Sequence, residues 1–232
     1  MILPLESDLY PVVDGKVFDA IAADEEWQAD EFARCGEEPW YWIVNYCWTW
    51  RPDEARGGLE TLIERVPPKE YLRLAANDWF INPKYILSKS RQLLATWLIM
   101  ILFLQRCMFS ENIKAFCQTK KEEDADVEMI QRANFVYQNL PGWQQRECPA
   151  KYSYCKLIFP QTGSIIRGIP AGGDQIRSHN PNILASDEFA FQQDAEESYT
   201  AALACCKRIA LISSANPGFM RDLVKDKIRS GL

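Results

Sequence analysis

The chain has 232 residues, 47% hydrophobic and 25% charged. It carries a formal net charge of −6 and a pI of about 5.0. This suits one large domain, or one domain with an N-terminal extension, and supplies enough apolar material for a sizeable core. It excludes an overall basic bias that would advertise nucleic acid, although a local basic patch or a ring lumen can contact phosphate on an acidic protein.

The N-terminus, MILPLESDLYPVV, has neither a basic start nor a long apolar run, so no signal peptide is expected. Residues 1–65 are acidic and rich in tryptophan, and DEEWQADEFARCGEEPWYWIVNYCWTW predicts one or two amphipathic helices. The cluster Trp40, Tyr41, Trp42, Tyr46, Trp48 and Trp50 forms either a ligand platform or the packing of this arm onto the main domain. The second reading is preferred, because large aromatics usually dominate cores. RPDEARGG reads as a loop. PPKEYLRLAANDWF starts a helix on prolines, where they are tolerated.

KYILSK predicts a strand, and LLATWLIMILFLQRCMF a helix apolar nearly all round and therefore buried. Its apolar run, Leu93 to Leu104, is twelve residues, too short to span a bilayer. NIKAFCQT is a second strand. KKEEDADVEMIQRANFVYQNLP is an amphipathic helix that stops at Pro141. YCKLIFPQTGSIIRGIPAGG reads as paired strands around Thr162-Gly163, and NILASDEF as a strand ending in two carboxylates. EESYTAALACCKR is a helix and IALISSAN another strand. Eight scattered cysteines contain no CxxC pair, and the single histidine, His179, lies near none of them, which argues against zinc. Cys107 and Cys117 flank a predicted strand and Cys205-Cys206 lies in a helix. All eight read as reduced, mostly buried thiols of an intracellular protein.

Strands alternating with helices imply an α/β fold, a largely parallel sheet with helices on both faces. Ligands bind such sheets at the C-terminal ends of the strands. Three strands carry their polar residues there, in SKSRQ, SDE and SSAN. In ILASDEF, Asp187 and Glu188 stand where nucleotide hydrolases present one carboxylate to magnesium and the next to the attacking water. The alternative is two exposed acids at a strand end. In SKSRQLLATW, Thr96 supplies a hydroxyl at a helix N-terminus and Lys89 and Arg91 supply positive charge. Leu94 and Ala95 occupy positions where the usual pattern has glycine and lysine, and glycine permits backbone angles that leucine does not. The alternative is a strand-turn-helix with incidental basic residues. In LISSANPG, Ser213, Ser214 and Asn216 can hydrogen-bond near a γ phosphate, or form an ordinary turn before Pro217.

In this order and spacing the three segments resemble the ATPase domain of a large terminase subunit, the DNA-packaging motor of tailed bacteriophages and related viruses. KSRQLLAT resembles the family's deviant Walker A, KxRQxGxT; ILASDEF resembles its Walker B and catalytic glutamate; SSANPG resembles its coupling motif. FARCGEEPWYWIVNYCWTW is similar to the opening segment of many members, and QTKKEEDA to the strand and helix after the phosphate loop. The resemblance implies a RecA-like (ASCE) P-loop NTPase core over 66–232, with residues 1–65 as an arm packed on it. It implies ATP bound by Lys89, Ser90, Arg91, Gln92 and Thr96, and Mg2+ held by Thr96 and Asp187. Glu188 would be the catalytic base, Arg91 would touch or sense the γ phosphate, and Ser213, Ser214 and Asn216 would couple hydrolysis to movement. Arg177, ten residues before Asp187, falls where the family can place an arginine finger acting on a neighbouring subunit. The alternative there is a solvated loop arginine.

The family often has an upstream glutamine that reads adenine; VPPKEYLRL, with Lys69, Glu70 and Tyr71, contains none. Complete large terminases also carry a C-terminal nuclease domain of ribonuclease H-like fold. This chain stops at Leu232, shortly after the coupling motif, so a motor domain without nuclease activity is expected. The implied partners are double-stranded DNA, the portal protein and the small terminase subunit. A homo-oligomeric ring at the procapsid portal in the host cytoplasm is implied with them. Lys120, Lys121, Arg132 and Lys151 are basic candidates for DNA contact. Two rival readings are a helicase-like ATPase, which would need a second RecA-like domain for which no residues remain, and a degenerate ATPase fold kept as a DNA-binding or assembly scaffold.

Overall fold

A computed structural model of the protein describes residues 15–52, 60–90 and 93–230. The chain begins with three helices, α1 (Gly15–Ala23), α2 (Glu25–Glu37) and α3 (Pro39–Tyr46). Asp24 caps α2, its carboxylate accepting from the backbone amides of Glu26 and Trp27 at 2.9 and 3.2 Å. Pro39 opens α3, where a missing N–H costs nothing. A two-stranded antiparallel ribbon follows, β1 (Trp48–Pro52) with β2 (Thr61–Arg65), Trp50 lying opposite Ile63. This ribbon replaces the end of the expected helical stretch. Arg51 and Pro52, read from sequence as the start of a loop, belong to β1, while 53–59 lie outside the described residues.

The main body runs α4 (Glu70–Ile81), β3 (Lys84–Ser88), α5 (Ala95–Phe109), β4 (Lys114–Thr119), α6 (Glu122–Ala125), a π-helical turn (Asp126–Ile130), α7 (Gln131–Gln138) and α8 (Gly142–Glu147). It continues through β5 (Lys151–Ser153), β6 (Lys156–Phe159), β7 (Ser164–Pro170), α9 (Gly173–His179), β8 (Ile183–Ser186) and a 3-10 turn (Phe189–Phe191). It closes with α10 (Ala195–Cys205), β9 (Arg208–Ser213) and α11 (Phe219–Ser230). The seven-stranded sheet has the order β3-β9-β8-β4-β7-β6-β5. Its first five strands are mutually parallel, and β6 and β5 add an antiparallel edge. The expected α/β architecture, mostly parallel and covered on both faces, is the one observed.

Alternation along the strands divides the core in two. Ala115, Cys117, Ala185, Ala210 and Ile212 face a core built around α5, whose residues are all buried except Arg106 and Phe109. Phe116, Leu184, Ile209 and Leu211 face a second core shared with α9, α10 and α11 through Ile176, Ala201, Ala202 and Met220. The arm is part of the first core. Trp42 is fully buried, donates through Nε1 to Gln144 Oε1 at 2.9 Å, and meets Phe109 edge-on at 5.7 Å. Buried Glu31 accepts from the hydroxyls of Tyr41 and Tyr46 at 2.7 and 2.6 Å, so no donor there is stranded. Trp40 and Trp42 thus pack the arm as expected; Trp50 remains exposed.

The single helix expected over 120–140 is broken into α6, the π-helical turn and α7. The cause is Asp126, buried at the break, whose carboxylate accepts from the Cys155 amide at 2.7 Å, the Tyr152 hydroxyl at 3.2 and 3.1 Å, and Gln131 Nε2 at 3.0 Å. All eight cysteines are free and six are buried; Cys107 sits in α5 and Cys117 inside β4 rather than beside it. Among the described residues no helix is long and apolar enough to cross a membrane.

Candidate active site

The polar residues singled out at strand ends meet along the C-terminal edge of the parallel strands. β9 lies between β3, which leads into the loop, and β8, which leads into the acids. Ser88 pairs with Ser213 across β3 and β9, and the Lys89 amide donates to the Ser213 carbonyl at 3.0 Å. Thr96 and Asp187, at 6% and 8% exposure, are brought together from 91 positions apart: Thr96 Oγ1 donates to Asp187 Oδ2 at 2.7 Å. Asp187 Oδ1 accepts from the Glu188 amide at 2.9 Å, and the Asp187 amide donates to the Gln118 carbonyl at 3.0 Å.

One hydroxyl beside one carboxylate is a hard-oxygen donor set of the kind Mg2+ uses with substrate phosphates and water. Among the described residues no three His, Cys, Asp or Glu side chains gather to hold an ion on their own. The residues present fit magnesium.

The loop solves its glycine problem by strain. Leu94 adopts the left-handed conformation, φ 53° and ψ 16°, at the N-terminus of α5. Among the described residues no side chain caps that terminus, whose first amides an α-helix leaves without backbone partners. A left-handed residue other than glycine costs about 1–2 kcal/mol. Leu94→Gly relieves that cost and gives up a half-buried side chain; Leu94→Ala gives up most of the same side chain and keeps the strain. The glycine variant is expected to be more stable than the alanine variant by about 1 kcal/mol in urea unfolding, the reverse of their order inside a helix. A more stable alanine variant would contradict this account of the loop.

Glu188 is exposed and also left-handed, φ 49° and ψ 34°. Non-glycine residues in this region are held there by their surroundings, and such strain gathers at functional sites. The surroundings here are the residues read as a coupling motif. Ser213 Oγ accepts from the Ala190 amide at 3.2 Å, and Asn216 Nδ2 donates to the Ala190 carbonyl at 2.9 Å. Both thus grip the 3-10 turn that follows Glu188. Gln192 completes the brace, its Nε2 donating to Ser186 Oγ at 2.9 Å and to the Asp187 carbonyl at 3.0 Å. Nothing in DEFAFQ marks Gln192 for that task.

Lys89 is half-buried, Ser90 exposed and Ser214 half-buried at this edge, and Arg91 and Gln92 lie outside the described residues. Arg177 is on helix α9 rather than in a loop. Its Nη1 donates to Glu197 Oε1 at 3.0 Å and Asp174 Oδ1 at 2.9 Å, and these bonds hold its pKa above the ordinary arginine value. Lys120, Lys121 and Lys151 are exposed on the surface. Arg132 lines a cleft of ≈750 Å³ beside the loop, together with Lys89, Leu94, Thr96, Trp50 and Tyr71. Arg132 pairs with Glu128, and its Cζ lies 5.4 Å from the centre of the Trp97 ring. Among the described residues lining it are Arg51, Lys69, Lys89 and Arg132 and one carboxylate, Glu64, which Arg51 engages at 2.8 Å. A cationic cleft on an acidic chain favours an anionic ligand.

The sheet is mostly parallel, with one strand, β9, between the loop strand and the acidic strand. Large terminases share this fold. That of bacteriophage HK97 is similar at a TM-score of 0.64 and 16% identity, over 84% of this chain and 42% of that one. The large terminase of the thermophilic bacteriophage D6E gives 0.53 at 11% identity, over 69% and 43%. The same D6E protein in complex with ADP gives 0.50 at 14%, over 69% and 43%. The chain spans less than half the length of these terminases. No protein-family model matches the sequence, and no curated protein matches it.

Proposed function

We propose that this chain is an ATP-hydrolysing motor domain of a terminase that drives double-stranded DNA into a procapsid. The observation that carries the reading is the 2.7 Å bond between Thr96 and Asp187, which joins the loop to the acidic strand beside Glu188. In this reading Lys89 and the amides at the start of α5 bind the phosphates. Thr96 and Asp187 would hold a magnesium ion, which when bound offsets phosphate charge. Glu188 orients the attacking water and accepts its proton at a carboxylate oxygen. Arg91 would stabilise charge developing on the γ phosphate. Ser213 and Asn216 would pass the change on to a DNA-gripping element. Arg177 would act on a neighbour's nucleotide only after exchanging its bonds to Asp174 and Glu197.

The portal protein, the small terminase subunit and a ring of like subunits belong to the same proposal. The test is ATP turnover with magnesium across a range of protein concentrations, beside calorimetric nucleotide binding. Turnover per subunit that rises with concentration is expected of a motor completed by its neighbours. No turnover at any concentration, with no binding, would overturn the reading in favour of a scaffold.

A further inference from the structure

The cleft beside the loop contains two aromatic rings that the phosphate reading leaves without a task. Trp50 on β1 and Tyr71 in the first turn of α4 both line it, and they are 37% and 44% exposed. Their exposure contrasts with Trp40 and Trp42 of the same arm, at 1% and 0%. Trp50 is nevertheless held in place. Its ring meets Trp97 edge-on at 5.6 Å, and Trp97 is the neighbour of Thr96. The indole is thereby registered to the helix whose N-terminus opens on the loop. Tyr71 follows Pro67 and Pro68, whose rings stiffen the approach to α4. Among the described residues lining the cleft there is no asparagine or glutamine to read the edge of a base.

We propose that Trp50, with Tyr71, provides the stacking surface for a purine base, so that the β1–β2 ribbon of the arm is the base-recognition element of the nucleotide site. The proposal rests on the nucleotide reading above. Stacking tolerates any base-edge pattern, because every base has a π face, and it strengthens with ring area. ATP and GTP therefore bind alike, and CTP binds more weakly.

The test is calorimetric titration of the full chain with ATP, GTP, CTP and inorganic tripolyphosphate, in the wild type, Trp50→Ala and Trp50→Tyr. Trp50→Ala is expected to weaken ATP and GTP about tenfold or more. It should leave tripolyphosphate unchanged, and Trp50→Tyr should restore most of the loss. Tyr71→Ala supplies the same pattern from an independent position. Equal ATP affinity in Trp50→Ala and wild type overturns the proposal, as does an equal fall for tripolyphosphate or strong preference for ATP over GTP. Wild-type protein that binds tripolyphosphate as well as ATP overturns the stacking surface and leaves the phosphate site standing. Wild-type protein that binds neither overturns the nucleotide reading itself.

Discussion

Glu188→Gln is expected to lower ATP turnover by roughly a thousandfold or more while leaving nucleotide affinity within a few-fold of wild type. Glutamine keeps the size of the side chain and the left-handed backbone at 188, so the Asp187 Oδ1 bond to the amide and the brace on Ala190 survive. What is lost is the carboxylate that, in the proposed reading, would accept the proton of water. The loss therefore falls on the chemical step and not on binding. Steady-state hydrolysis paired with calorimetry reads the two separately. Turnover within tenfold of wild type would remove Glu188 from its assigned role. A parallel collapse of binding would show that the substitution had disturbed the turn instead.

Trp42→Ala is expected to cost about 3–5 kcal/mol of stability by loss of a large buried ring. A further cost of about 1–3 kcal/mol follows if Gln144 Oε1 is left buried and unpaired. Trp42 touches Phe109 at the end of α5 and bonds α8 through Gln144, so it ties the arm to both. Trp27, on α2 and 52% exposed, is the control: Trp27→Ala should lie within about 0.5 kcal/mol of wild type, as surface changes do. Urea unfolding followed by two probes measures both. A loss below 1 kcal/mol for Trp42→Ala would mean that the arm unfolds separately from the sheet.

Much of this fold was legible because buried parallel strands are short apolar runs and their helices are longer ones. KYILS, KAFCQT, ILAS and RIALIS each became a strand of the central sheet. The polar ends of three of them could be assigned to one edge before any geometry was known. What stayed hidden depends on distant partners. The π-helical turn at Asp126 exists because Tyr152 and the Cys155 amide, 26 and 29 positions away, reach its carboxylate. The ribbon β1–β2 pairs WTWRP with TLIER across a gap, and the aromatic run before it reads as a continuing helix. Trp50, Tyr71 and Arg132 come from three separate elements, and no local pattern announces that they share a cleft with Lys89. The left-handed leucine reverses a local rule: the backbone there adopts the conformation that glycine takes freely, and the residue occupying it is leucine.

The bonds around Ala190 also bear on timing. The end of β9 holds the loop through Ser213 O and the acid-bearing turn through Ser213 Oγ and Asn216. Loop, acid and β9 terminus are therefore meshed like wheels in one train, with Ser213 as the shared axle. In the proposed reading, a displacement of 214–217 imposed from outside would turn Glu188 away from its post, just as a change at the loop would move 214–217. Since coupling between two sites is reciprocal in free energy, a load applied at the output end of such a motor would also be a brake at its input end.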